Sequence, residues 1–395
     1  MKALIIGCGV AGPVLALALK KAGIDSVIYE AYPQGADAAG YFLTIASNGL
    51  AALQSIGADA PVRLASFPVH RMVLRNHTGS VLGVIPTDGA GGAAMFTIKR
   101  RDLYRVLRDE AVAAGIPVRY GKRFSGRSES HDAVEARFED GTADVGDILI
   151  GCDGLHSKVR ESIDPAAPRP RYVPLLNTGG YTRAIPTVTD FGSYQMYFGK
   201  RAFFAYVPAP DGTIYWFANP PHALEPAEND LAAMTGGDWK KHLLSLFEDD
   251  GTPAAHIIAS ANEIAPPWAT YDIPTIPRWS SARSVLVGDA AHATSPSSGQ
   301  GASMAIEDAV ILAKCLRDLP LAQALEEYEA QRRPRVERVV AYGAQTSAGK
   351  TAGPLARALR DVFMRLMLKR TDHRSQLQWM FDYRIDWAPA RGPHV

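Results

Sequence analysis

Residues 2–30, KALIIGCGVAGPVLALALKKAGIDSVIYE, decide the fold. The run KALIIG at 2–7 is short and apolar, as a strand buried on both faces requires. Residues 11–22 are rich in Ala and Leu and read as a helix stopped by Gly23, a natural left-handed cap. SVIYE at 26–30 is the next strand, so the segment is a βαβ unit. Between its first strand and its helix stands Gly7-x-Gly9-x-x-Gly12. Gly7 permits the tight turn, Gly9 lets a pyrophosphate approach the backbone, and Gly12 lets helix and strand pack closely. Val10 and Ala11 open the helix, whose N-terminus faces the phosphates. Glu30, followed by Ala31, ends the second strand with its carboxylate placed for the ribose hydroxyls of an adenosine. The acid favours a free 2′-hydroxyl, which leaves both FAD and NAD open. The same apolar run could be read as a secretory leader. Gly7, Gly9, Gly12 and Pro13 interrupt it, and Lys20-Lys21 stand where a small-residue cleavage site would be, so the βαβ reading is preferred.

Outward from this unit, the spacing predicts helices over 48–57 and 100–114. A hairpin is expected around Asp140-Gly141 and a buried strand at 147–152 (DILIGC). Residues 166–225 change texture: rich in Pro, Gly and aromatics, they alternate with period two. Strands are expected at 193–198, 201–207 and 213–218. A helix is expected at 238–248, a buried strand at 284–288 and a helix at 299–317, with mostly helical chain from 321 onward. The chain has 395 residues, of which 47% are hydrophobic, so it can bury a sizeable core in two or three domains. Basic residues number 42 and acidic residues 41, a net of +1, which argues against a nucleic-acid partner. No stretch is long and apolar enough for a membrane span. Cys8, Cys152 and Cys315 are too few for a disulfide framework and read as buried thiols in a reducing, cytoplasmic setting.

The second chemical signal is RSVLVGDAAHATSPSSGQGASMAIED at 283–308. A strand ends in Gly288-Asp289, and a loop with Pro296 leads to Gly299-Gln300-Gly301, Ala302 and a long helix. An Asp at a strand end can hold a sugar or ribityl hydroxyl. Backbone N–H groups at the helix start would stabilise negative charge on a reduced flavin.

At this point the chain resembles the FAD-dependent aromatic hydroxylases, the group A flavoprotein monooxygenases related to p-hydroxybenzoate hydroxylase. Three fingerprints match in order over about residues 1–340: Gly7/Gly9/Gly12 with Glu30, Cys152-Asp153-Gly154 with Ser157-Lys158-Val159-Arg160, and Gly288-Asp289 with Pro296 and Gly299-Gln300-Gly301. The resemblance implies non-covalent FAD and a visiting NAD(P)H with no nucleotide-binding domain of its own. It implies a C4a-hydroperoxyflavin that delivers one oxygen atom of O2. It also implies that Arg100 lies near the FAD, that Asp153-Gly154 serves both FAD and the nicotinamide, and that Pro296 lies beside the flavin ring. Phe124 completes the expected cofactor set. No metal signature is present. His292 is expected to pack behind the Gly288 turn rather than act as a base. The run RRPRVER at 332–338 is expected to be a solvated helix face, with Pro334 kinking or restarting the helix.

The expected fold class is α/β: a Rossmann-like FAD-binding domain over 1–65, 96–165 and 265–340, with an inserted, mostly antiparallel β substrate domain at 66–95 and 166–264. C-terminal helices follow over 341–395. If Gly199-Lys200 is a two-residue turn and 209–212 the next, Gln195, Tyr197, Phe204, Tyr206, Tyr215 and Phe217 share one sheet face. That face, aromatic with polar tips, suits a flat aromatic or polycyclic substrate, though either face could instead pack on the core. Alternatives are a flavin-dependent reductase or dehydrogenase of an isoprenoid, a flavin halogenase (its WxWxIP signature is absent), and a flavin-binding relative without turnover.

Overall fold

The computed structural model describes residues 1–33, 41–87, 94–183, 190–350, 353–370 and 373–388. Five parallel strands form the central sheet, in the order Ser284–Leu286, Ile148–Gly151, Lys2–Ile6, Asp25–Tyr29 and Val118–Arg119. Leu4, Ile5, Ile28, Leu149 and Val285 have no exposed surface. That is why these strands read as unbroken apolar runs: both faces are covered, one by helices and the other by a three-stranded antiparallel sheet of Phe124–Glu129, Val134–Phe138 and Ala143–Gly146. The helices Ala11–Lys21 and Gly301–Asp318 pack on each other against the sheet.

The second body is a seven-stranded sheet. Its order is Trp268–Asp272, Arg171–Arg183, Thr213–Asn219, Phe203–Pro208, Ser193–Phe198, Arg71–Asn76 and Val81–Pro86. All neighbours are antiparallel except Ser193–Phe198 with Arg71–Asn76. One face is covered by the helices Gly236–Phe247 and Ala254–Ser260. Thus the two sheets, and the chain stretches that build each, have the different characters the sequence texture announced.

The C-terminal region corrects two expectations. The helix Leu321–Lys350 continues through Pro334 and does not restart there. Pro334 is exposed, so the carbonyl that loses its partner can turn to water. The RRPRVER run is not a solvated face. Arg332 is fully buried, with its guanidinium 2.6 Å from Asp308 Oδ1 and 2.7 Å from Glu307 Oε2. Arg335 pairs with Glu307 at 2.8 Å and donates to the carbonyls of Trp379 and Met380, fixing the helix His373–Phe381. Asp308 Oδ2 also accepts the Gly288 N–H at 2.9 Å and pairs with His292 at 2.5 Å. His292 is buried behind the Gly288 turn, as expected.

Burial alone would raise the Asp308 carboxyl, but the charges of His292 and Arg332 outweigh it and hold the group at about 2. Its stabilising contribution is therefore present at neutral pH and is lost as pH falls from the ordinary carboxylate range towards about 2. Replacing Asp308 with Ala leaves Arg332 buried with half its anion. We expect a loss of about 3–5 kcal/mol in urea unfolding at neutral pH, and a smaller difference from the parent protein in acid. Equal stability of the variant at neutral pH would show that the cluster is not a structural tie.

Candidate active site

The first glycine turn is built by close approach. Gly7 has φ +107°, and a Cβ there would lie 2.4 Å from the Cys152 carbonyl oxygen. A Cβ on Gly12 would lie 2.0 Å from the Gly7 carbonyl oxygen, whereas one on Gly9 would meet nothing within 4 Å. The backbone at Gly9 is therefore open to a ligand. Glu30 is buried, and its two carboxylate oxygens accept the N–H groups of Cys8 and Tyr32, both at 2.9 Å. The acid thus braces the glycine turn from behind, with lone pairs left for a further donor.

Asp153 caps the helix Lys158–Ile163: its carboxylate accepts from Ser157 Oγ and from the N–H groups of Lys158 and Val159. Arg160 is buried and donates to the carbonyls of Ala290 and Leu155. The middle fingerprint therefore staples this helix to the turn that follows Gly288.

These turns converge on a cleft of about 930 Å³. At one end it is lined by Gly9, Val10, Ala11, Arg100, Gly154 and Asp289. Its middle is the loop Pro296, Gly299, Gln300, Gly301 and Ala302. Gly299 is left-handed at φ +63°, which lets the short Pro296–Ser298 turn run straight into the helix Gly301–Asp318. The first amides of that helix have no intrahelical acceptor and sit at its positive end. Asp289 lines the cavity, and its carboxylate has no hydrogen-bond partner among the described residues. Enclosure raises its carboxyl above the ordinary range, partly offset by the charges of His292 and Arg100. Gln300 is fully buried; its Oε1 accepts from Asn48, and its Nε2 has no partner.

Several expected site residues lie elsewhere. Phe124 is packed in the central core, beside Phe138 of the neighbouring strand, and does not line the cavity. Gly7, Gly12, Gly288, Glu30, Ala31 and Asp153 stand behind the lining rather than in it. The substrate face needs a larger correction. Gln195 pairs with Tyr206, Tyr197 with Phe204 and Phe198 with Phe203, and the Gly199 N–H donates to the Ala202 carbonyl at 3.1 Å, so the two-residue turn is Lys200-Arg201 rather than Gly199-Lys200, a change that leaves the faces of these two strands as expected. Phe203 pairs with Asn219 and Tyr206 with Trp216, so the next loop is odd-numbered. Gly212 at φ +80° makes it a three-residue loop, 210–212, closed by the Ala209 N–H on the Thr213 carbonyl at 2.8 Å. One residue of slip turns Tyr215 and Phe217 onto the opposite face from Tyr197, Phe204 and Tyr206. The latter three pack under the helix Gly236–Phe247, and Gln195 on their face bonds to Arg75, Asp190 and Ser193. The face that meets the cavity instead carries Tyr194, Met196, Phe198, Phe203 and Phe217. Tyr215 lies on that side within a ring cluster of Phe42, Phe67 and Tyr181.

A family model described as FAD binding domain matches residues 1–342. The chain belongs to the FAD-dependent aromatic hydroxylases. It is an FAD-dependent monooxygenase. It is 32% identical to the aurachin C monooxygenase/isomerase of Stigmatella aurantiaca over 96% of this chain and 97% of that one. It is 30% identical to the FAD-dependent urate hydroxylase of a Klebsiella pneumoniae strain over 86% of this chain and 88% of that one. The crystal structure of Klebsiella pneumoniae HpxO complexed with FAD and uric acid superposes with a TM-score of 0.84, at 27% identity, covering 96% of each chain. The residues of this monooxygenase fit FAD on their own terms: an open backbone at Gly9, the first amides of the helix that begins at Gly301, which have no intrahelical acceptor, and, among the described residues, an unpartnered Asp289 and a Gln300 Nε2 without a partner.

Glu30→Ala is expected to weaken FAD by about 1–3 kcal/mol in a fluorescence titration, through loss of charge-assisted hydrogen bonds to the glycine turn. Asp289→Ala should give a folded protein with lower flavin content after purification. Full flavin content and unchanged affinity in both variants would remove these two acids from the cofactor site.

Proposed function

We propose that the enzyme draws electrons from NADH or NADPH and inserts one atom of O2 into a flat aromatic or polycyclic small molecule bound in this cavity. The observation that carries the reading is that one cleft joins two unlike walls. The Pro296–Ala302 loop faces it on one side, and Met196, Phe198, Phe203 and Phe217 face it on the other. Relatives named for urate and for 3-amino-4-hydroxybenzoate support a ring substrate of modest size.

When bound, FAD supplies the redox chemistry with dioxygen. Gly9, Val10 and Ala11 with Arg100 would hold its phosphate end, and Asp289 would accept a hydroxyl of its chain. The amides of Gly301 and Ala302, at a helix N-terminus, would stabilise negative charge beside the ring. The aromatic wall excludes water and holds the substrate ring flat. No side chain of the loop is needed as a base, and His292 is engaged by Asp308. The FAD-binding unit is assigned to 1–65, 96–165 and 265–340 and the substrate unit to 66–95 and 166–264, except that the strand Trp268–Asp272 pairs with Arg171–Arg183 and so goes with the substrate sheet. Among the described residues no helix is long and apolar enough to cross a membrane. The three buried free thiols support a reducing compartment, the cytoplasm.

Turnover in ¹⁸O₂ should place one labelled atom in the product. Unlabelled product would reject the oxygenase chemistry, and saturation of a substrate double bond without O2 uptake would favour a reductase. The corrected sheet face gives a sharper contrast. Phe217→Ala should keep FAD and fold but lose more electrons as hydrogen peroxide, because water enters the emptied wall. Phe204→Ala, on the helix-covered face, should cost about 3–5 kcal/mol of stability while product yield per NAD(P)H stays that of the parent enzyme.

A further inference from the structure

Lys350 ends the helix Leu321–Lys350 and lines the same cavity. Its ammonium group sits 4.2 Å from the ring centre of Phe203 and 5.7 Å from that of Phe217. One N–H is donated to Asn219 Oδ1 at 2.6 Å. Asn219 Nδ2 in turn donates to Asn177 Oδ1 at 2.6 Å, and Asn177 Nδ2 donates to Thr270 Oγ1 at 2.5 Å. Both amides are buried, so this relay has a fixed direction and presents only an acceptor to Lys350. No carboxylate lies within 4 Å of Lys350 among the described residues. The other charged groups lining the cavity are Arg100 and Asp289 at the phosphate end, and Arg360, which lies over Phe198 and pairs with Asp361 at 2.8 Å. A cation enclosed without an anion is costly, and burial pushes the Lys350 amine down to about 7.

The same helix also touches the loop beside the flavin. A Cβ on Gly343 would lie 2.8 Å from Thr294 Oγ1, and Ser347 Oγ is 2.7 Å from Ser295 Oγ. From Ser347 to Lys350 is about one turn, so a group on Lys350 lies within one or two ring widths of that loop.

Resting on the aromatic-substrate reading above, we propose that Lys350 receives an acidic ring hydroxyl of the substrate, a phenol or enol, and takes its proton. The O–H bond breaks, an N–H bond forms, and no electrons are exchanged. An ammonium–phenolate pair remains, seated on Phe203 and anchored through Asn219. The negative oxygen releases electron density into the ring, which assists transfer of an electrophilic oxygen atom. Lys350 thereby selects hydroxylated rings over bare ones.

The test uses the FAD-loaded enzyme and three probes, naphthalene, 2-naphthol and 2-naphthoate, titrated by flavin absorbance, with 4-nitrophenol as a colour reporter. The parent enzyme should bind 2-naphthol about tenfold more tightly than naphthalene, the scale of one charge-assisted hydrogen bond. Bound 4-nitrophenol should show its phenolate band in buffer below its own ionisation. Lys350→Met should abolish the preference and the phenolate band while flavin content is kept, and Lys350→Arg should bind the phenolate without restoring the proton transfer at low pH. Should Lys350→Met fail to fold, the nitrophenol spectrum of the parent enzyme decides the matter alone. Equal binding of naphthalene and 2-naphthol overturns the proposal. So does bound 4-nitrophenol that stays protonated while 2-naphthoate binds best, since the lysine is then a carboxylate site. Binding of none of the probes overturns both this proposal and the aromatic cavity. Unlabelled product in ¹⁸O₂ with the naphthol preference intact overturns only the oxygenase reading.

Discussion

Asp308 is the knot on which the rest of the structure hangs. One carboxylate holds the Gly288 amide and His292 on one side and Arg332 on the other. Its neighbour Glu307 holds Arg332, Arg335 and Asn48. Asn48 passes the connection on to Gln300, which opens the helix Gly301–Asp318. Burying these ions costs several kcal/mol each, and the mutual pairing offsets the cost without guaranteeing a surplus. What the cluster supplies is position. Four separate pieces meet there: the strand-end turn that carries Asp289, the helix whose first amides face the cavity, the helix Ser47–Ile56 and the helix Leu321–Lys350. An apolar core of the same volume would hold these pieces together but would allow them to slide.

That fixed geometry explains how two domains of unlike construction share one site. The parallel sheet delivers backbone groups, because its strands end in glycine turns with no side chain in the way. The antiparallel sheet delivers flat side chains, because alternate residues stand out from its face. The long helix bridges the two: its middle is tied to Asp308 through Arg332, Gly343 rests on the loop at 294–298, and Lys350 rests on the sheet. Any shift of this helix along its axis would move loop and sheet contacts together, so the two walls of the cavity are mechanically coupled.

The cofactor half was legible because its requirements are local. A left-handed Gly7, an open Gly9 and a close-packed Gly12 lie within six residues, so their spacing carries the geometry. Glu30 follows at the end of the adjacent strand. The Gly288 to Gly301 segment is legible for the same reason. The buried ion cluster leaves a fainter mark: Glu307-Asp308 stands in the apolar stretch of one helix, and the RRPRVER run follows in the next. Taken separately, each looks like a solvated surface. Only their pairing across 24 residues, between Asp308 and Arg332, shows that each neutralises the other.

The sequence by itself determined the doubly wound βαβ frame, the phosphate-facing turns and the aromatic alternation of the second sheet, since all are set by the periods and backbone freedom of neighbouring residues. It did not determine which aromatic face meets the cavity. That rests on two loops, and the first sits one residue further along than Gly199-Lys200, a two-residue change of register that leaves the faces unaltered. The second is settled by one left-handed glycine, and a single residue of slip exchanges the faces. Nor could the sequence reveal Lys350. A lysine becomes an unpaired cation in an aromatic cavity only when a distant helix end, two strands and a buried amide relay are brought together. That is a matter of which charges are absent from its surroundings, and no local pattern records an absence in space.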